Sequence, residues 1–216
     1  MATSQLQLYN IGLLAVGERA LSNLSEAREP RRKLDEVWSR GNGATRFFLE
    51  QGFWNFAMRA AKLDSSTSVT PSFGFSFAFQ KPDDFVKLNM ISADERFNGP
   101  LTDYELEGDY IYCDVDPLYL RYVSDDADWG LDYSKWPETF TLWAGTWLGL
   151  QIAPTLLNDL DLKELKKDAK DLLADARSKD AMQEPTRFQP LSSWVQARHG
   201  RSSRGDRGLR NKLIGS

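Results

Sequence analysis

The sequence predicts an α+β protein: a helical bundle formed by the N- and C-terminal segments, a central antiparallel β unit between them, and a flexible basic C-terminal tail. Apolar residues recur at α-helical spacing before residue 52 and after residue 134. Between these segments they recur at every second position, which is typical of strands. After residue 180 the periodicity fades. A chain that leaves a helical region, forms a sheet and returns belongs to the α+β class.

These changes of pattern divide the chain of 216 residues into three parts. We expect a helical domain made of residues 1–52 and 134–180. We expect an inserted β domain at residues 53–133, and a C-terminal tail at residues 181–216. The chain contains 7 Trp and 12 Phe, so a core or an interface must accommodate many large rings.

Two helices are predicted in the N-terminal segment. The first covers residues 5–17 and ends at Gly17. The second begins near Glu29, where Pro30 suits the first turn because its missing N–H costs nothing there. Gly41 and Gly43 interrupt its apolar stripe, so we expect a kink or close backbone packing, with the helix resuming to residue 51.

The β unit is predicted from alternating aromatic residues and turn signals. Alternation begins at Trp54, Phe56 and Met58, and a phenylalanine-rich strand follows with one aromatic face, which we interpret as a core face. Its aromatic residues are Phe73, Phe75, Phe77 and Phe79. Further strands are expected at residues 85–91, 104–107, 110–115 and 118–123. A tight hairpin turn is expected at Gly108 and Asp109.

Two more helices follow an acidic loop at residues 125–133. Residues 137–153 are predicted to form a helix that is apolar on all sides and therefore buried. We reject a membrane span there because Gln151, Pro154 and several threonines dilute the apolar run, and acidic residues stand at its ends. Residues 160–178 are predicted to form an amphipathic helix.

The motifs of common enzyme classes are absent from the sequence. It has one cysteine, Cys113, and one histidine, His199, which excludes the usual Cys/His zinc sites. Cys113 is expected to be a small buried hydrophobic residue. The only dense carboxylate cluster is Asp125, Asp126, Asp128 and Asp132, and we interpret it as a solvated loop that caps the next helix. We expect no catalytic residue, no cofactor and no metal.

The C-terminal tail carries the most specific pattern. Seven basic and two acidic residues give residues 181–216 a net charge of +5, which leaves −9 for the rest of a chain whose total is −4. Five arginines recur at a strict interval of three, and in an extended three-per-turn conformation they would lie about 9 Å apart on one side. They are Arg198, Arg201, Arg204, Arg207 and Arg210. With the apolar anchors Phe188, Trp194 and Leu213, they form a predicted docking segment for DNA phosphates or an acidic partner surface.

Several segments occur together in a defined order. They are residues 21–28 (LSNLSEAR), 31–50, 52–63 (GFWNFAMRAAKL), 77–84 (FAFQKPDD), 104–108 (YELEG), 118–123 (LYLRYV) and 136–140 (WPETF). In this order they resemble the tail tubular protein A family of bacteriophages, over about residues 21–157. The chain departs from the family where Val16-Gly17-Glu18 is followed by Arg-Ala-Leu instead of a proline pair, and where Gly41 and Gly43 interrupt a helix that is usually continuous.

The resemblance implies a structural head-to-tail adaptor of the phage neck and no catalytic residues. It implies a homo-oligomer, a dodecameric ring, between the portal protein and the tail nozzle or tail tube protein, with duplex DNA passing through the lumen without sequence-specific binding. The helical adaptor domain would face the portal, the β domain the tail, and the C-terminal tail would grip the portal. The protein would be made in the host cytoplasm and located in the virion, without a membrane partner.

Two other functions stay open. The arginine-rich tail is also typical of a DNA-binding accessory protein, whose affinity would fall steeply with salt. A polysaccharide hydrolase centred on the acidic loop is the third interpretation, although sequence neighbours in a loop do not define the carboxylate separation that such chemistry needs.

Overall fold

The computed structural model describes residues 4–71, 74–155 and 159–183, and these form a mixed α+β protein. The described helices are α1 (Gln5–Ala15), α2 (Glu29–Trp38), α3 (Ala44–Glu50), α4 (Glu138–Ile152) and α5 (Asp159–Ala181). The strands are β1 (Met58–Leu63), β2 (Phe77–Gln80), β3 (Phe85–Ser92), β4 (Glu105–Glu107), β5 (Tyr110–Cys113) and β6 (Leu118–Ser124). The predicted α+β class is confirmed. Phe73 and residues 184–216 lie outside the described residues.

The interruption predicted at Gly41 and Gly43 divides residues 29–51 into two separate helices, α2 and α3. Gly41 and Gly43 have φ angles of 61° and 91°, in the left-handed region that glycine adopts at little cost. The Gly43 amide donates to the carbonyl of Arg40 at 3.0 Å, which closes a turn between the two helices. A turn therefore separates the two helices at this point, where the sequence had predicted a kink or close backbone packing.

The β residues form two small antiparallel sheets. The first has the strand order β1-β6-β3 and the second β2-β5-β4. Strands β4 and β5 are joined by the predicted hairpin, in which Glu107 pairs with Tyr110 and Gly108 has a φ of 53°. Phe79 lies in the core of this part of the molecule, as predicted for the phenylalanine-rich strand, but the strand begins only at Phe77.

The alternating Trp54 and Phe56 do not belong to a strand, which corrects the prediction that the β unit begins at residue 53. Residues Asn55–Ala57 form a 3₁₀ turn. The Trp54 indole donates to the carbonyl of Phe48 at 3.0 Å, and its ring lies edge-on to Phe140 at 4.7 Å. The rings of Trp54 and Phe56 both pack against Phe140 of α4. Their spacing of two residues therefore reflects packing in the helical region and not a pleated strand.

Helix α4 is the most buried helix of the described chain, as predicted. It contributes Phe140, Trp143, Ala144, Leu148 and Ile152 to the core that α1, α2, α3 and α5 also line. Its rings meet the aromatic side chains of neighbouring segments at edge-to-face geometry, for example Trp143 against Phe48 at 5.3 Å. None of the described helices is long and apolar enough to cross a membrane.

Three glycines, Gly12 of α1 and Gly145 and Gly149 of α4, allow the backbones of the two helices to touch. A Cβ added at Gly12 would lie 2.8 Å from the carbonyl oxygen of Gly145 and 2.9 Å from the amide nitrogen of Gly149. A Cβ at Gly145 would meet the Ile11 side chain at 2.5 Å, and one at Gly149 would meet the Gly12 carbonyl. Side chains at these positions would separate the two helices, so the glycines are required by the packing.

Helix α5 carries its apolar residues along one face, as the amphipathic prediction requires. Leu165, Ala169 and Ala176 are buried, while the Lys and Asp residues between them are exposed. Its last turn is fixed to the 3₁₀ turn, since the Asp180 carboxylate accepts the Asn55 amide at 3.1 Å and the Asp180 carbonyl accepts the Asn55 side chain at 2.7 Å.

Replacing Gly149 by Ala should lower the free energy of unfolding by about 2 kcal/mol, because the added methyl collides with the backbone of α1. Urea denaturation followed by circular dichroism measures this. The matched control is Gly99→Ala, since a Cβ at Gly99 meets no atom within 4 Å and should leave stability nearly unchanged. Equal midpoints for the two variants would contradict the close helix contact.

Candidate functional site

The residues predicted for the docking segment lie outside the described part of the chain. They are Phe188, Trp194, Arg198, Arg201, Arg204, Arg207, Arg210 and Leu213. Their role stays a prediction. Among the described residues, the acidic loop is the predicted site that the structure can locate, and it lies beside a polar network that the sequence did not reveal.

Asp84 is the centre of this network, which we call the Asp84 hub: Asp84, Arg59, Tyr122 and Ser124. The Asp84 carboxylate accepts the Arg59 guanidinium at 2.8 Å and the Tyr122 hydroxyl at 3.0 Å, and it also accepts the Ser124 hydroxyl. Arg59 comes from β1, and Tyr122 and Ser124 come from β6, while Asp84 immediately precedes β3. The hub therefore joins all three strands of the first sheet at one end.

The acidic loop is attached to the hub by ion pairs. Arg59 also approaches the Asp126 carboxylate at 3.5 Å. Arg46 of α3 donates to the Asp125 carboxylate at 2.6 Å and to the Phe85 carbonyl at 2.7 Å. Two of the four clustered carboxylates thus neutralise arginines from other elements. Arg46 thus connects the loop to α3 and to strand β3 of the first sheet.

The rest of the loop is held by its own backbone. The Asp132 carboxylate accepts the Ser134 amide at 3.0 Å, so it caps the 3₁₀ turn Tyr133–Lys135. The loop was predicted to cap the next helix, but α4 begins after Pro137 without a side-chain cap, which corrects that prediction. The Trp136 indole donates to the Gly130 carbonyl at 2.9 Å. Within the described residues, no group of three or more Asp, Glu, His or Cys side chains is arranged to hold a metal ion.

Charges in the hub shift the ionisation of its members in opposite directions. Burial alone would raise the pKa of Asp84, but hydrogen bonds from Ser124, Arg59 and Tyr122 outweigh it and lower the pKa. Burial and the neighbouring Asp84 carboxylate raise the pKa of Tyr122 well above its usual range. The hub therefore holds a carboxylate and a neutral phenol at neutral pH, and its chemistry is that of a charged junction saturated with donors.

Cys113 occupies the position predicted for it. Its side chain is fully buried in β5, and the thiol donates to the Val115 carbonyl at 3.4 Å. Burial raises the pKa of this thiol, which keeps it protonated at neutral pH. Cys113 therefore packs as a small hydrophobic residue within the core of the β region.

Several large apolar side chains of the described residues are exposed, among them Leu14 on α1 and Trp129 and Leu131 in the acidic loop. On α1, Leu14 is 78% exposed and borders a surface groove of about 430 Å³. The groove is lined by Ser4, Leu6, Gln7, Asn10, Ile11, Leu14, Glu18 and Ala20. In the acidic loop, Trp129 and Leu131 are each more than one third exposed although the loop backbone is firmly held. Such positions are typical of contact surfaces for other macromolecules.

Sequence reasoning did not identify the hub. In the sequence, Asp84 comes just before a predicted strand and Arg59 comes just after Met58, and neither position predicts that the two side chains meet. Tyr122 and Ser124 occupy alternate positions of a strand, which indicates a shared face but not the residue they contact. The register of β1 on β6, with Arg59 opposite Tyr122, brings these groups together, and it depends on long-range pairing.

The described chain is thus a mixed α+β protein in which a saturated polar junction joins the three strands of the first sheet, and Arg46 of α3 pairs with the adjoining acidic loop. No protein-family model matches the sequence, and no curated protein is significantly similar to it.

Replacing Asp84 by Asn should destabilise the protein by about 2 kcal/mol at neutral pH, because one side-chain oxygen cannot replace a carboxylate bonded to Arg59, Ser124 and Tyr122. The folded-state pKa of Asp84 is lowered, so its contribution is present above the unfolded pKa of about 3.9 and is lost as the pH falls through the folded pKa. Urea denaturation across this pH range measures it.

The control for this prediction is Asp83→Asn, which changes the neighbouring exposed carboxylate and should have little effect. The interpretation of Asp84 as the junction of the sheet is refuted if the two variants have the same stability at neutral pH, or if the difference between Asp84→Asn and wild type does not shrink in acid.

Proposed function

We propose that this chain is a structural head-to-tail adaptor of a bacteriophage neck, which assembles as a ring between the portal protein and the tail. The observation that carries the proposal is the shared order of the motif segments over about residues 21–157. In this proposal the described helices belong to a helical bundle that faces the portal, the sheets face the tail, and the basic C-terminal segment docks on the portal.

Surface properties of the described residues support an assembling protein. The groove on α1 and the exposed Leu14 present apolar area that a subunit in an assembly would cover. The side chains of Lys135 and Trp136 donate hydrogen bonds to backbone carbonyls of the loop that carries Trp129 and Leu131. Because the loop is held in this way, these two apolar side chains need little reordering to bind a partner. A heterologous contact between copies, repeated by rotation, closes into a ring.

The charge distribution also suits a conduit for DNA. Residues 1–180 carry a net charge of −9, and like charge keeps a passing duplex from adhering to the wall. The basic residues of the tail are separated from this acidic body in sequence, which suits a segment that binds a different surface. The proposal therefore assigns the two charge regions to two different partners.

Mass photometry of the protein mixed with the portal protein of the same phage tests the proposal. We expect a discrete ring-sized complex, and we expect its loss when residues 188–216 are deleted, because the predicted apolar anchors and arginines are then missing. Urea denaturation of the deleted variant, with an unchanged midpoint, is the control for its folding. Full binding by the deleted variant would refute the docking role, and absence of any complex with the complete chain would refute the adaptor function.

The arginine interval supports one second candidate, a DNA-binding accessory protein. Five arginines on phosphates would make the logarithm of the affinity for duplex DNA fall with the logarithm of the salt concentration, with a slope of about −4.5. Replacing Arg198, Arg201, Arg204, Arg207 and Arg210 by glutamine should abolish that slope. A steep slope without any portal complex would favour this candidate, whereas salt-insensitive, negligible DNA binding is the result that the adaptor proposal predicts.

A further inference from the structure

The loop after β3 places an Asn–Gly pair in an exposed and chemically open position. Asn98 and Gly99 are both exposed, and a Cβ built on Gly99 meets no atom within 4 Å. Within the described residues, the amide N–H of Gly99 donates to no protein atom. A glycine has no side chain to shield its own amide nitrogen. Without a hydrogen bond, that nitrogen is accessible as a nucleophile.

The neighbouring contacts hold the Asn98 side chain in place. Its Nδ2 donates to the Asp94 carboxylate at 2.5 Å. The Gly99 carbonyl accepts the Ser92 hydroxyl at 2.9 Å, and the Leu101 amide donates to the Ile91 carbonyl at 2.8 Å, so both ends of the loop are fixed. These hydrogen bonds therefore hold the Asn98 side chain and the Gly99 backbone within one short turn.

A second Asn–Gly pair in the chain provides a comparison with the same two residue types. Asn42 and Gly43 lie in the turn between α2 and α3, where the Gly43 N–H donates to the Arg40 carbonyl at 3.0 Å. That hydrogen bond must break before the Gly43 nitrogen can lose its proton. The two pairs have equal intrinsic chemistry, so a difference in their rates would come from the fold.

We propose that the Asn98–Gly99 peptide is a site of spontaneous deamidation. The deprotonated Gly99 nitrogen attacks Cγ of Asn98 and forms an N–Cγ bond. The Cγ–Nδ2 bond then breaks, and ammonia leaves after water returns the proton to Nδ2. Water adds to the resulting succinimide and cleaves one of its two C–N bonds, which gives aspartate or β-aspartate at residue 98. The step consumes water alone and involves no oxidant or reductant.

The modification would loosen the loop. A carboxylate at residue 98 faces the carboxylate of Asp94 and replaces an attractive hydrogen bond by repulsion. The β-aspartyl form also adds a methylene to the backbone beside the Gly99 carbonyl that Ser92 holds. The inference does not depend on the proposed adaptor function, because it rests on the loop geometry alone.

Peptide mapping by mass spectrometry of the complete chain, incubated at mildly alkaline pH, tests the proposal. Asn98 should deamidate about fivefold faster than Asn42, which corresponds to the net strength of one hydrogen bond at Gly43. In urea, where both segments are unfolded, the two rates should become equal. The variants Asn98→Gln and Gly99→Ala should each suppress the reaction at residue 98 and leave Asn42 unchanged.

Other outcomes overturn the proposal. If Asn42 reacts as fast as Asn98 in the folded protein, the free Gly99 amide does not determine the site. If residue 98 stays an asparagine in the folded chain while the same peptide deamidates in urea, the contact with Asp94 protects it, and the loop is not a modification site.

Discussion

The close contact between α1 and α4 sets the spacing of the helical region. Gly12, Gly145 and Gly149 allow the two backbones to approach to a distance that any side chain would prevent. With one side of α4 fixed in this way, its large rings point toward the other elements, where Trp143 meets Phe48 of α3 and Phe140 meets Trp54. The aromatic core thus depends on residues with no side chain, because they determine where α4 lies.

The Asp84 hub fixes the arrangement of the three strands in the first sheet. Its hydrogen bonds join β1, β6 and the residue before β3, and the pairs of Arg59 and Arg46 with the acidic loop extend the junction toward α3. A carboxylate that is mostly shielded from water is stabilised only when its donors are all present. The hub therefore makes the position of the loop, and of its exposed Trp129, dependent on the integrity of the sheet.

Most elements with a strong periodic signal were predictable from sequence. Helices α1, α4 and α5 and the β4–β5 hairpin follow from apolar spacing and from Gly108. The interruption at Gly41 and Gly43 was predicted, but its form was not, because the sequence does not distinguish a kink from a left-handed turn. The period of two at Trp54 and Phe56 predicted a strand wrongly, since burial in an aromatic core produces the same pattern. The Asp84 hub could not be predicted, because it depends on strand register across long separations.

The central claim is that this folded α+β unit works as a subunit of the phage neck. If the proposal holds, a phage genome encodes this chain, and cryo-electron microscopy of the virions made from that genome tests the proposal most directly. The account predicts density between portal and tail into which the described helices and both sheets fit, repeated around the axis as a closed dodecameric ring. Virions whose neck contains no density for this chain, or a location of the chain elsewhere in the particle, would contradict the account.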